Sequence, residues 1–220
     1  MHSPAKTALL LVDIQNDFLP PDGSLAVPEG RDILPHVYRL LEWNWDLVVA
    51  SQDYHPHGHI SFTSTHDLPP FTNISVQKPH CPPGVMVPQM LWPDHCVQGT
   101  HGCEFEAELK KKLGKDVVII QKGGDLAVDS YSAFSDNQYT SFTPLIKTLH
   151  QAGIEHVVIC GLATDYCVYF TAVDSCKFGF KTEIVREAVR AADKAATERV
   201  FDDLRGWGCD IVSIDDVLTV

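Results

Sequence analysis

Short runs of Val, Ile, Leu and Ala alternate along this chain with stretches whose apolar positions recur every three or four residues. The runs predict strands at residues 7–12, 47–50, 117–120, 157–160, 182–185 and 211–214. The helical spacing covers residues 33–43, 142–151, 165–178 and 192–205. Strands that read as continuous apolar runs are buried on both faces, as in a parallel sheet. With right-handed crossovers this alternation gives an α/β fold, a three-layer α/β/α sandwich around a mostly parallel central sheet. Between about 53 and 102 the rhythm stops. That stretch is rich in Pro and His, predicts no regular element, and is expected to be an ordered loop beside the active site.

Size and charge narrow the class. At 220 residues the chain is expected to form a single domain over 1–220. A net charge of −12 lacks the basic footprint of a nucleic-acid binder. No apolar run reaches the length of a membrane span. The first apolar run is short and is followed by Asp13 and Asp17, so it reads as a strand rather than a signal peptide. Seven cysteines, an odd number without a CxxC pair, imply free thiols and a reducing compartment. The C-terminus lacks Ser-Lys-Leu, so the expected location is the cytoplasm.

Four reactive side chains lie at or just past the C-terminal ends of predicted strands: Asp13, Asp53, Lys122 and Cys167. In an open parallel sheet those ends converge on the edge where ligands bind. Alone, Asp13 and Asp53 read as turn residues, Lys122 as a surface charge and Cys167 as a packed core thiol. Together they make one pocket. Cys167 also opens a predicted helix, where unpaired N–H groups and a partial positive charge favour the thiolate.

The local words are specific. Leu11-Val12-Asp13-Ile14-Gln15-Asn16-Asp17-Phe18 opens the chain, and Asp53-Tyr54-His55-Pro56-His57-Gly58-His59 follows the second strand. Trp92-Pro93-Asp94-His95-Cys96-Val97-Gln98-Gly99-Thr100 lies in the long loop. Lys122-Gly123 precedes Asp129-Ser130-Tyr131-Ser132-Ala133-Phe134, and Gly161-Leu162-Ala163-Thr164-Asp165-Tyr166-Cys167-Val168 comes later. From residue 7 to 214 the sequence resembles the nicotinamidase branch of the isochorismatase-like cysteine hydrolase superfamily.

The resemblance implies the superfamily's Rossmann-like fold and an amidohydrolase that converts nicotinamide to nicotinate and ammonia in NAD salvage, with pyrazinamide as a second substrate. It implies a cysteine thioester, with Cys167 as nucleophile, Asp13 as proton shuttle and Lys122 favouring the thiolate. The oxyanion donors map onto the backbone N–H groups of Ala163 and Cys167, next to a cis Leu162–Ala163 peptide. Asp53, His55 and His95 match metal ligands, and His59 matches a position that is a ligand in some members only. Oxygen and imidazole ligands suit one divalent Zn, with Fe or Mn as alternatives. That metal is expected to hold the pyridine nitrogen. Phe18, Trp92, Tyr131 and Tyr166 are the candidate walls for a flat ring. His57 and His101 read as solvated surface. The extended loop offers a face for burial in a homo-oligomer. Two other readings compete: an amidohydrolase for carbamoyl or ureido substrates, which resembles this chain at Asp13, Lys122 and Cys167 but lacks the metal set, and a thiol sensor without turnover. Isochorismate hydrolysis is disfavoured because that branch does not use a cysteine nucleophile.

Overall fold

All six predicted strands pair into one sheet. The computed structural model describes residues 5–219. In chain order the strands are β1 (Lys6–Val12), β2 (Leu47–Asp53), β3 (Asn73–Gln77), β4 (Met86–Met90), β5 (Val118–Lys122), β6 (Ile154–Leu162), β7 (Lys181–Arg190) and β8 (Cys209–Val212). The central sheet runs β5-β2-β1-β6-β7-β8, and every pairing in it is parallel.

Period-two side-chain placement builds a core on each face of this sheet. Ala8, Leu10 and Val12 of β1 pack on one side with Val157 and Ile159 of β6. Leu9 and Leu11 pack on the other with Val158, Cys160 and Leu162. The helices are α1 (Leu34–Leu41), α2 (Thr63–His66), α3 (Ala107–Lys112), α4 (Leu145–Ala152), α5 (Cys167–Lys177), α6 (Thr197–Gly206) and α7 (Ile214–Val217). Leu145 and Leu149 of α4, Val168 and Ala172 of α5 and Phe201 of α6 cover the first face. Leu34, Val37 and Leu40 of α1, Leu109 of α3 and Ile214 of α7 cover the second. Three layers result, as the alternation predicts. Among the described residues no helix is long and apolar enough to cross a membrane.

The strand order places the site. From β1 the chain steps outward through β2 to β5, then returns to lay β6 on the other side of β1. The reversal opens a crevice beyond the carboxyl ends of β1 and β6, the usual ligand position in such sheets. Asp13 directly follows β1, and Cys167 begins α5 just after β6.

Several boundaries differ from the pattern-based reading. The stretch from 53 to 102 holds α2 and an antiparallel hairpin of β3 with β4, whose register pairs Asn73 with Met90. The hairpin escapes sequence reading because Pro88 interrupts β4 and both strands are largely exposed. Helix α3 buries only Leu109, too little to show a period, and is capped by the Glu106 carboxylate on the N–H groups of Glu108 and Leu109. The helix expected at 33–43 is a 3-10 turn over Gly30–Ile33 followed by α1, and the one expected from 192 starts with a 3-10 turn over Lys194–Ala196. The final strand ends at Val212, and Ile214 opens α7 behind a Ser213–Asp216 capping box.

Candidate active site

Lys122, the last residue of β5, is buried at the centre of the crevice. Its Nζ lies 2.9 Å from Asp13 Oδ2 and 3.0 Å from Asp53 Oδ1. It donates to the Ser130 carbonyl at 2.9 Å and reaches Cys167 Sγ at 3.5 Å. One ammonium thus joins the ends of three strands and the start of α5. Asp13 sits in the left-handed region at φ 48°, which aspartate tolerates better than most residues. Ser51 on β2 fixes it, its hydroxyl donating to Asp13 Oδ1 at 2.6 Å. Asp53 is fixed through its backbone: its N–H donates to Gln15 Oε1 and its carbonyl accepts from Gln15 Nε2, both at 2.8 Å.

The electrostatics set the resting proton positions. Burial pushes Asp13 up; Lys122 pulls it back and Asp53 pushes again, and the net shift is upward. Burial opposes charge on Lys122, but Asp13 and Asp53 outweigh it and hold the ammonium well above its usual range. For Cys167 burial raises the thiol, Lys122 opposes this, and Asp13 and Asp53 add to it, leaving it well above an ordinary cysteine. The helix-terminus argument anticipates the opposite direction. The difference comes first from burial, which disfavours the charged thiolate, and the two carboxylates add to it against the one lysine. Cys167 and Asp13 are both shifted toward their protonated forms, and both lie against the same Lys122 ammonium.

Helix α5 begins with open donors. No side chain caps it at Tyr166. The N–H groups of Tyr166 and Val168 turn back to the Ala163 carbonyl, each at 3.1 Å. Among the described residues the N–H groups of Ala163 and Cys167 have no acceptor. The Leu162–Ala163 peptide is cis, as the resemblance implies. Gly161 permits the approach: at φ 127°, a Cβ there would lie 2.0 Å from the Val12 carbonyl oxygen.

On the far side of Asp53, its Oδ2 faces two imidazoles. His55 Nε2 is 3.1 Å away and His95 Nε2 is 3.7 Å away. The Nδ1 atoms of both rings lie 2.8 Å from backbone carbonyls, His55 at Gly123 and His95 at Pro93. Donation from Nδ1 leaves each Nε2 as a lone pair turned toward Asp53. His55 Nε2 is buried without a hydrogen bond of acceptable geometry. A carboxylate oxygen and two imidazole lone pairs with no donor among them form a site that calls for a cation, and the donor set fits a divalent metal. Without one, burial opposes a proton on His55 but Asp53 outweighs it, and the shift is upward. Gly123 makes room, since at φ 67° a Cβ there would lie 2.4 Å from His55 Cε1.

The isochorismatase-domain model matches residues 7–216. The chain belongs to the isochorismatase family. A nicotinamidase of Escherichia coli is 40% identical over 191 residues, 84% of either chain. Among solved structures, the yeast nicotinamidase bound to the inhibitor nicotinaldehyde superposes with a TM-score of 0.90 at 30% identity, covering 94% of this chain and 99% of that one. A pyrazinamidase of Pyrococcus horikoshii in complex with zinc gives a TM-score of 0.76 at 35% identity, covering 94% and 99%.

In this isochorismatase fold the two halves of the site open on one cavity of about 230 Å³. Phe18, Trp92, Tyr131 and Tyr166 all line it, together with Asp53, His95, Ala163 and Cys167. Trp92 meets Tyr166 edge-on at 4.8 Å between ring centroids and donates its indole N–H to the Tyr131 hydroxyl at 3.2 Å. His59 stands apart. Both its ring nitrogens are engaged, Nδ1 with the Ser61 hydroxyl at 2.8 Å and Nε2 with the Val128 carbonyl at 3.3 Å. It stacks on His55 and shares a cluster with His55 and Asp129 rather than with His95. His57 and His101 are exposed. A larger concavity, about 970 Å³, lies at the opposite edge of the sheet around Trp43, His150 and Phe180 and holds none of these groups.

Several lining residues carry no role in the sequence reading, Asp129 and Phe71 among them. Asp129 belongs to the word Asp129-Ser130-Tyr131, where its charge was the available signal. Phe71 offers none; it sits in a Pro-rich turn, 62% exposed, with its ring edge-on to Trp92 at 5.9 Å.

Proposed function

We propose that this chain is a nicotinamidase, hydrolysing nicotinamide to nicotinate and ammonia through a thioester on Cys167. The observation that carries the reading is Lys122 Nζ standing within 3.5 Å of Cys167 while it pairs with Asp13 and Asp53. The likeness to nicotinamidases over most of the chain supports the substrate.

The cycle follows from the geometry. Asp13 takes the Cys167 proton as sulfur attacks the carboxamide carbon. The carbonyl oxygen becomes an oxyanion facing the free N–H groups of Ala163 and Cys167. Asp13 then gives its proton to the amine, ammonia departs, and the thioester remains. Asp13 next takes a proton from water as the water attacks the thioester. The proton returns to sulfur, and nicotinate is released. Lys122 stays charged throughout and holds Asp13 toward sulfur.

Asp53, His55 and His95 would hold a divalent metal, which when bound supplies a Lewis acid for the pyridine nitrogen and so orients the ring. Zinc is the reading favoured for its identity, on the nitrogen and oxygen donor set and the zinc complex of the Pyrococcus pyrazinamidase. Phe18, Trp92, Tyr131 and Tyr166 would contact the ring faces and edges. Pyrazinamide, which keeps a nitrogen in the same ring position, should be hydrolysed too. The test is ammonia release from nicotinamide by the purified protein, with mass spectrometry of enzyme quenched during turnover. A nicotinoyl adduct on Cys167 is expected; turnover without any adduct on that residue would overturn the thioester route.

A further inference from the structure

The active-site cavity holds a third carboxylate that the reaction does not use. Asp129 is 3% exposed and lines the cavity that Cys167, Ala163 and His95 also line. Its Oδ1 accepts the Ser130 N–H at 2.8 Å and its Oδ2 accepts from Gln89 Nε2 at 3.2 Å. Among the described residues no lysine or arginine pairs with it, in contrast to Asp13 and Asp53. One of its carboxylate oxygens lies within 4.8 Å of a ring nitrogen of His55 and of His59. Gln89 comes from β4, so the hairpin that sequence patterning misses supplies one of its two donors.

A buried carboxylate supported only by neutral donors is costly, since hydrogen bonds alone must offset its lost hydration. Neither the proton transfers nor oxyanion binding uses it. What it does offer is a carboxylate on the wall of a cavity of about 230 Å³, itself 3% exposed, where like charges are screened less than in bulk water. The reaction changes ligand charge in that same cavity: the amide is neutral, whereas the carboxylate product is an anion. A divalent metal and Lys122 together carry three positive charges. Asp13, Asp53 and Asp129 match them when ionised, so the site is neutral toward a neutral amide and gains no net attraction for its acid.

We infer that Asp129 is a specificity-determining residue that disfavours the carboxylate product, and ring carboxylates generally, against the neutral amide. It acts by charge and speeds product release; it does not take part in bond making. The inference rests on the nicotinamidase reading.

The test uses metal-loaded protein carrying Cys167→Ala, so that nicotinamide and nicotinate can both be titrated calorimetrically without turnover. Adding Asp129→Asn is expected to tighten nicotinate by about tenfold, while nicotinamide stays within about twofold. Asp129→Ser should act in the same direction and stands in if the Asn variant does not fold. Asp129→Glu, which keeps the charge, should keep the original ratio. Gln89→Ala, which removes a donor but no charge, should also leave the ratio unmoved. If Asn and Ser weaken both ligands in parallel, or leave nicotinate unchanged, Asp129 is merely structural and the inference is wrong. If Cys167→Ala protein binds neither ligand, it is the nicotinamidase reading that fails.

Discussion

Lys122 and Asp53 are joined by a 3.0 Å ion pair in which Lys122 uses only one carboxylate oxygen, Oδ1. The other oxygen, Oδ2, faces His55 and His95. Asp53 therefore belongs to both halves of the site. Whatever occupies the imidazole side changes the charge that Lys122 feels, and Lys122 in turn touches the nucleophile.

Cys167→Ala should lose about 10⁴-fold or more in nicotinamide turnover, because nothing else in the crevice can form the acyl intermediate. Its melting temperature should stay near that of the unaltered protein, since only one sulfur is removed. Residual activity within tenfold would point to attack by water instead.

Lys122→Ala leaves two buried carboxylates facing each other without a cation. A cost of about 3–5 kcal/mol is expected, read as a lower denaturation midpoint, together with near-complete loss of activity. Asp13→Asn should be equally inactive, and the double variant little worse than either, because the two act on one proton. Alkylation of Cys167 against pH in metal-free protein should titrate above the ordinary cysteine value of about 8.5. A midpoint below it would contradict the charge balance described for the site.

His95→Ala should lower bound metal and nicotinamide turnover together, whereas His57→Ala, an exposed position, should change neither. Benzamide lacks the ring nitrogen and should be a poor substrate whose slow rate hardly depends on metal. Equal metal dependence for benzamide and nicotinamide would reassign the metal to carbonyl polarisation or to structure.

Gly123→Ala places a methyl group 2.4 Å from His55 Cε1 on a backbone at φ 67°. Both the contact and the dihedral oppose it. Reduced metal content and a lower melting temperature are expected while Cys167 remains alkylable. Wild-type metal content in this variant would show that His55 tolerates displacement.

Glu183 lies outside the site and reports on pH stability. Its 3.0 Å contact with His156 and, against burial, its contact with Lys181 hold it down at about 2. An acid with a depressed folded pKa contributes stability that is present above its unfolded value, here 4.5, and lost as pH falls toward 2. Glu183→Gln should thus flatten the loss of stability between those limits and leave the neutral range less stable. An unchanged acid limb in denaturant titrations would remove Glu183 from that role.

Much of the site was legible before any fold was known. Parallel strands buried on both faces must be nearly continuous apolar runs, so the sequence marks where each one stops. A residue at such a stop can only be at the carboxyl edge. That is why Asp13, Asp53, Lys122 and Cys167 could be grouped across more than a hundred residues of chain. The words around His55, His95 and Trp92 added the metal set and a ring wall only through the resemblance to the nicotinamidase branch, since Trp92 and His95 lie in the long loop far from any predicted strand end.

The tertiary structure decided what depends on distance and burial rather than on order. The β3–β4 hairpin has no buried face strong enough to leave a pattern, yet it delivers Gln89 to Asp129. Which oxygen of Asp53 meets Lys122, and which meets the histidines, is a matter of rotamers. The shift of Cys167 depended on its burial first and then on the charges around it, where two carboxylates stand against a single lysine. Sequence patterns record hydrophobic burial, which each strand carries by itself. Electrostatics inside a pocket is a sum over groups from many segments, and it has a sign only once they are brought together.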